Sequence, residues 1–285
     1  MKCIVGNNLT ALLASHIFSD LDFYNHEKQM VEEYTYIPTT ASIIDILDCL
    51  GLDFSIKSFK CCFDNRGKLS AKFDETFVNI WCIHTRGKSV VEKSYIDNLS
   101  HKVSYISIND LPPLESLNIL KSVLLEKSNV KSTISSIEEL EDYKKVLWCH
   151  DLRLLNSGII TEYVDSYQYI CKHSEVDGIS QIFDVVYSIG KPYYRKIYSG
   201  ENVIYSAMRK IYDKTVDNNT VLESSPTIQI VDNLRLNSFK KFDLLGVYSQ
   251  WDLGMSLGKV LMRCNELREY YIDDKKISKN IFISQ

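Results

Sequence analysis

Only 5 prolines and 11 glycines are spread over the 285 residues, too few for a collagen-like or low-complexity chain. No run approaches the roughly 18 to 20 apolar residues that a spanning helix needs, and the opening Met1 to Asn8 has no basic segment leading into a longer apolar one. The expectation is a cytoplasmic protein without a membrane partner. Positive charge is not in excess either. Lys and Arg number 33 against 37 Asp and Glu, a net charge of 33 − 37 = −4, so no global basic field is present to hold a phosphate backbone. General nucleic-acid binding is therefore not expected. The eight cysteines (3, 49, 61, 62, 82, 149, 171 and 264) include no Cys-x-x-Cys pair, and the six histidines are as scattered. They read as reduced packing residues, with no metal site.

What is there describes a globular chain: 45% hydrophobic, 25% charged and 11% aromatic residues. A chain of this length buries roughly three quarters of its unfolded surface, so it carries a sizeable core. The N-terminus is the most informative stretch. Cys3, Ile4 and Val5 form a short apolar run that stops at Gly6, which suits a buried parallel strand. After a turn at Asn7 and Asn8, Leu9, Leu12, Leu13, His16 and Ile17 recur at helical spacing, with small Ala11, Ala14 and Ser15 on a face that can lie close to a sheet. Leu21 to Tyr24 returns to strand character before Asn25, His26 and Glu27. The first 27 residues thus read as strand, tight turn, helix and strand, a βαβ unit. His16, on the apolar helix face, is expected to be a satisfied core histidine.

Further along, Thr39 or Thr40 can cap a helix that ends at Gly51. Phe54 to Ile83 is β-rich, with turns at Asp64 to Gly67 and at Arg86-Gly87, and predicts a small antiparallel sheet. Pro112-Pro113 opens a helix over Leu114 to Leu125, Ser135 to Glu141 caps a short one, and Tyr143 to Trp148 is an apolar strand. Tyrosine-rich strands are expected between residues 160 and 215, another at Leu244 to Tyr248, and a last helix from Gly254.

The chemistry sits in the first turn. A dinucleotide-binding βαβ unit uses one glycine for the tight turn, a second for backbone approach to the pyrophosphate and a third for close helix packing, with the phosphates at the helix N-terminus. Here Gly6-Asn7-Asn8-Leu9-Thr10-Ala11 places Gly, Asn and Ala at those positions. Asn tolerates left-handed backbone, so Asn8 can keep the turn and present its amide to a ligand. Glu27 lies 27 − 6 = 21 residues after Gly6, where an acidic residue is expected to accept from ribose hydroxyls. The same residues also admit a plain βαβ unit in which Gly6 merely turns the chain and Glu27 is a solvated carboxylate. His150-Asp151, after a strand, is a candidate general base.

Gly6 to Glu27, together with Leu245-Gly246-Val247-Tyr248-Ser249-Gln250-Trp251-Asp252-Leu253-Gly254-Met255, resembles the FAD-binding superfamily of amine oxidases, protoporphyrinogen oxidases and UDP-galactopyranose mutases. In that family the C-terminal strand leads through a short loop to a helix whose N-terminus lies beside the flavin. Tyr143 to Trp148 with Leu152 to Leu155 resembles the family's strand and turn before the cap returns, and Lys191-Pro192-Tyr193-Tyr194-Arg195 its "PFYR" strand. The chain departs from the family in two places. Lys28 to Glu33 stands where a Gly-Gly pair usually follows the acidic residue, and Val247 where an Arg commonly stands. Both departures remove contacts to pyrophosphate or flavin.

The resemblance implies an α/β protein: an FAD/NAD(P)-binding Rossmann-like domain (1–52 and 215–272) with an inserted β-rich substrate domain (53–214) that partly returns to the first, then a tail (273–285). It implies FAD as cofactor and an FAD-dependent oxidoreductase or mutase-like flavoenzyme acting on a small polar substrate. The cofactor residues would be Gly6, Asn7, Asn8, Leu9, Ala11, Glu27, Gly246, Tyr248, Gln250, Trp251, Asp252, Leu253, Gly254 and Met255. Tyr194 and Arg195, with Tyr193 alongside, would face the substrate as catalytic residues, since Arg clamps phosphate or carboxylate and Tyr supplies a wall. The alternatives are a cofactor-free binding or assembly module that keeps this fold, and an NAD(P) site, which leaves the C-terminal resemblance unexplained.

Overall fold

The computed structural model describes residues 1–28, 34–72, 75–77, 80–81, 103–151, 154–155, 163–172, 179–180, 182–207, 221–230, 241–246 and 257–271. In chain order the elements are β1 (Lys2–Val5), α1 (Leu9–Ile17), β2 (Asp22–His26), β3 (Ile37–Pro38), α2 (Ala41–Leu50), β4 (Phe54–Ser58), β5 (Cys61–Asn65), β6 (Lys68–Ser70), β7 (Ser104–Ile108), α3 (Pro113–Lys127), β8 (Val130–Ile134), a 3-10 turn (Ile137–Leu140), β9 (Lys145–Trp148), β10 (Tyr163–Lys172), β11 (Val185–Ile189), β12 (Arg195–Ser199), β13 (Asn202–Ala207), β14 (Val221–Ile230), β15 (Phe242–Leu244) and α4 (Leu257–Tyr271).

They form three sheets. The first is parallel throughout, in the order β15-β9-β1-β2-β8. β1 sits at its centre, and alternate residues of that strand feed two cores. Ile4 joins Phe23, Leu147 and the apolar faces of α1, α2, α3 and α4, while Cys3 and Val5 join Val146, Trp148 and Leu244 on the other side. A strand covered on both faces needs an unbroken apolar run, which is what its sequence shows. Each fully buried aliphatic side chain contributes on the order of 1.5 to 3 kcal/mol. Helix α1 buries Leu9 to Ser15 against this sheet and against α3 and α4; Phe18, at its C-cap, packs on Tyr271 with ring centroids 5.6 Å apart. His16 differs from expectation: its Nε2 is buried with no hydrogen-bond partner, and burial holds its pKa below the ordinary value.

The second sheet, β3-β7-β4, is antiparallel, and the third has seven strands in the order β14-β10-β13-β12-β11-β5-β6. Together they depart from the single small sheet expected over Phe54 to Ile83. β4 pairs with β7, whereas β5 and β6 form a hairpin whose first strand runs parallel to β11. Residues 75–77 and 80–81 are helical and bring Phe77 and Trp81 into the core of the third sheet. The parallel pair is set at its start by Asp184: its carboxylate accepts from the Lys60 N–H at 2.7 Å, and its own N–H donates to the Lys60 carbonyl at 2.8 Å. No local periodicity reports a pairing across 124 residues of chain. β7, β8 and β14 were likewise silent in the sequence pattern. Of the strand expected over Leu244 to Tyr248, β15 (Phe242–Leu244) includes Leu244 and leaves out Leu245 and Gly246, and Val247 and Tyr248 lie outside the described residues.

The third sheet is clasped to α3. That helix begins after Pro112, which offers no side-chain cap. Ser199, the last residue of β12, supplies one: its Oγ accepts from the Leu114 N–H at 2.9 Å and donates to Glu115 Oε2 at 3.1 Å. Gly200 follows with φ +57, and a Cβ there would lie 3.0 Å from Pro112 Cγ. Losing a hydroxyl cap costs about 1 kcal/mol. Ser199→Ala should therefore lower the free energy of unfolding by about 1 kcal/mol in chemical denaturation; an unchanged midpoint would remove the cap from this account.

Candidate functional site

The carboxyl ends of β1, β2 and β9 converge at one edge of the parallel sheet. Gly6 makes the turn out of β1 with φ +156, a conformation that side chains rarely adopt. A Cβ on Gly6 would stand 2.8 Å from Ala11 Cβ and 3.1 Å from both Cys149 Cβ and the Cys149 carbonyl oxygen. Glycine at 6 and a small residue at 11 are thus one requirement, because α1 starts against the end of β9. The Gly6 N–H donates to the Tyr24 carbonyl at 3.0 Å and the Cys149 N–H to the Val5 carbonyl at 2.8 Å, so both edges of β1 stay paired to its end.

Asn8 departs from the sequence expectation. Its backbone is extended (φ −107, ψ 176), not left-handed, and its side chain is turned inward with 1% exposure. Oδ1 accepts from the Ala11 N–H at 2.9 Å, capping α1, and Nδ2 donates to the Cys149 carbonyl at 3.0 Å. The amide is spent on joining helix and strand rather than offered to a ligand. Leu9 and Ala11 are fully buried beneath it. Thr10 Oγ1 lies 3.4 Å from the Tyr34 hydroxyl, which brings the chain after β2 back over the start of α1.

Asn7 reaches the other way. Its Nδ2 donates to the carbonyls of His26 (3.1 Å) and Lys28 (2.9 Å), while its Oδ1 is buried with no partner. Glu27, between those two residues, is exposed, and its N–H donates to the Ile134 carbonyl at 2.9 Å. The Lys28 N–H donates to His26 Nδ1 at 3.1 Å. The Lys28 carbonyl accepts a second bond, from His150 Nε2 at 2.9 Å, and His150 Nδ1 accepts from the Asp151 N–H at 2.8 Å. Those partners make His150 the Nε2–H tautomer. Its ring lies 4.7 Å from that of His26 and 6.0 Å from that of Trp148. Burial lowers its pKa to about 4, against the opposing pull of the Lys28 carbonyl, and burial also lowers that of His26. With both nitrogens engaged and 1% exposure, His150 does not present a base to substrate. Sequence reading singled out His150 but not its bond to the Lys28 carbonyl, because that partner is 122 residues away.

The closing segment arrives beside these residues. β15 pairs with β9, the Leu245 N–H donates to the Trp148 carbonyl at 3.0 Å, and Gly246 follows with φ +98. The remaining sequence candidates on this side, Tyr248, Gln250, Trp251, Asp252, Leu253, Gly254 and Met255, lie outside the described residues.

Arg195 opens β12 of the seven-stranded sheet, and Tyr194 immediately precedes it. Arg195 Nη2 donates to Ser206 Oγ at 3.2 Å, and its charge acts on Tyr36, whose phenol pKa is raised by burial. Tyr36 is two residues beyond Tyr34, so this side of the sheet approaches the start of α1. The Tyr193 and Tyr194 pair does not form one wall: Tyr194 packs on Trp81, whose Nε1 donates to the Tyr194 carbonyl at 2.8 Å, whereas Tyr193 packs on Tyr205 in a separate cluster. The seven described cysteines are free thiols, five of them buried. No described helix is long and apolar enough to cross a membrane.

By sequence the chain matches no family model and no curated protein. By structure it is similar to BrvH, a flavin-dependent halogenase from Brevundimonas sp. BAL3, with TM-score 0.53 and 11% identity over 96% of this chain and 72% of that one. It is similar to reduced UDP-galactopyranose mutase, with TM-score 0.54 and 8% identity over 88% and 89%. A protein of Pyrococcus furiosus matches with TM-score 0.51 and 11% identity over 95% and 97%. The fold is therefore the mixed α/β, Rossmann-like fold of FAD-binding flavoenzymes. At these identities the likeness is one of fold.

Two outcomes follow from the edge. Gly6→Ala should cost about 1 to 3 kcal/mol by overpacking, read from the denaturation midpoint. His150 binds its proton in the unfolded chain near pH 6.5 but in the folded one only near 4, so its contribution is complete above pH 6.5 and is lost as pH falls toward 4. His150→Gln should flatten the pH dependence of stability in that window, where the wild type loses up to about 3 kcal/mol through this group. Identical slopes for the two proteins would contradict the neutral, buried imidazole.

Proposed function

We propose that this chain is an FAD-dependent oxidoreductase or mutase-like flavoenzyme acting on a small polar substrate, with FAD held along the carboxyl edge of the parallel sheet. The observation that carries the reading is the convergence at that edge of the Gly6 turn, the start of α1 and the exposed Glu27 carboxylate, with β15 two strands from β1. The residues present suit the adenosine diphosphate half of the group. The start of a helix favours phosphate, and the exposed Glu27 can accept from ribose hydroxyls.

On this reading Gly6, Asn7, Asn8, Leu9 and Ala11 shape the diphosphate turn, and Gly246, Tyr248 and Gln250 through Met255 line the flavin. The bound flavin supplies the hydride or covalent chemistry, while the protein orients the substrate. Arg195, with Tyr194, would hold an anionic group of the substrate, a task its planar guanidinium suits. We assign residues 1–52 and 215–272 to the cofactor side and 53–214 to the substrate side, with two exchanges: α3, β8 and β9 return to the parallel sheet, and β14 adds an edge strand to the seven-stranded one. A cytoplasmic setting and a small-molecule substrate, with neither nucleic acid nor membrane as partner, belong to the same proposal.

A second reading, a cofactor-free binding or assembly module, is favoured by Asn8, whose side chain caps α1 and ties down Cys149 without a ligand. The two separate cleanly. If the first holds, the purified chain shows a flavin absorbance spectrum, or its stability rises with added FAD by about 2.7 kcal/mol at a hundred times Kd. Neither response would leave the module reading in place. Glu27→Ala should weaken FAD binding about tenfold or more, the worth of hydrogen bonds to a charged acceptor, without moving the unfolding midpoint of the ligand-free protein, since Glu27 is exposed.

A further inference from the structure

We propose that His150 is a positioning residue for nucleotide recognition: through the Lys28 carbonyl it holds the segment His26-Glu27-Lys28 in the conformation that presents the Glu27 carboxylate to a ribose. The inference rests on the nucleotide reading above and goes beyond it, because His150 touches no part of the ligand itself.

The argument is one of constraint. Glu27 lies just past the end of β2, where a chain ordinarily gains freedom. Here the backbone groups around it are taken. Its N–H donates to the Ile134 carbonyl at the end of β8 (2.9 Å), the Lys28 N–H is held by the His26 ring (3.1 Å), and the Lys28 carbonyl accepts from Asn7 and from His150, both at 2.9 Å. Three neighbouring elements therefore fix three residues. Of these ties, the one from His150 spans the sheet from the end of β9, across the end of β1, to the loop after β2. The ring that makes it is itself held, oriented by the Asp151 N–H (2.8 Å) and packed against His26 and Trp148. The titratable and charged groups that face this ring are His26, Lys28 and Asp151. Pre-organising a recognition group lowers the ordering cost of binding, so a carboxylate on a tethered segment discriminates among ligands better than one on a loose strand end.

The test compares ADP with 2′-deoxy-ADP in calorimetric titrations of the full chain freed of any flavin. The two probes differ only in the hydroxyl that an acidic residue at this position accepts from. The wild type is expected to prefer ADP. His150→Ala should reduce that preference about threefold to tenfold while leaving the affinity for 2′-deoxy-ADP within twofold, and His150→Gln, whose amide can still donate to Lys28, should restore part of it. A merely structural role would weaken both nucleotides alike. An unchanged preference in His150→Ala overturns the inference and leaves the nucleotide reading standing, whereas a wild type that binds neither nucleotide overturns both. Should the alanine variant not fold, nitrogen NMR of the wild-type imidazole decides: an Nε2–H tautomer that stays neutral well below pH 6.5 supports the tether, and a ring that titrates near its ordinary value overturns it.

Discussion

β1 is enclosed on both faces and both edges, and this enclosure is the constraint on which the rest of the structure depends. With β2 on one side and β9 on the other, the short segment Lys2–Val5 has no direction in which to relax. Its exit must be a glycine, since any Cβ there meets Ala11 and Cys149. The helix that follows must start close to the sheet, and Asn8 closes that start by capping α1 while bonding to Cys149. Strand, turn, helix and the end of β9 form one packed unit, buried in a medium where an unmet hydrogen-bonding group is costly.

What remains open at that edge has a definite character. The apolar side chains point into the two cores, and the polar ones divide between internal ties and solvent. Asn8 and His150 are spent internally; Glu27 is not. The edge is thus held by the protein's own contacts alone. The seven-stranded sheet is joined to this frame through Ser199 at the start of α3, and the Arg195 charge acts on Tyr36. The same features explain why two readings of function meet here: a turn sealed by its own asparagine stands without a ligand, yet beside it stands an exposed carboxylate.

The legible parts of the sequence were those governed by local rules. Thr40 and Gly51 bracket α2, accepting from Ile43 and adopting φ +70, as their types require. The opening βαβ unit and the helix after Pro112-Pro113 followed from spacing alone. The illegible parts were pairings. Nothing near Cys61 announces that its strand runs parallel to β11, nothing near Asn8 announces a bond to Cys149, and the split of Tyr193 from Tyr194 depends on which face of a distant sheet each ring meets.

By itself the sequence determined the βαβ opening and the requirement for glycine and a small residue at 6 and 11, because these rest on backbone sterics and on spacing within one turn or strand. Only the tertiary structure decided which polar groups stay available. Asn8 was expected to offer its amide to a ligand, but the Cys149 carbonyl past the end of β9 lies 3.0 Å from it; His150 was a candidate base, but the Lys28 carbonyl takes its proton-bearing nitrogen. Availability depends on partners more than a hundred residues away, and a buried donor or acceptor bonds to whichever partner the fold brings within reach.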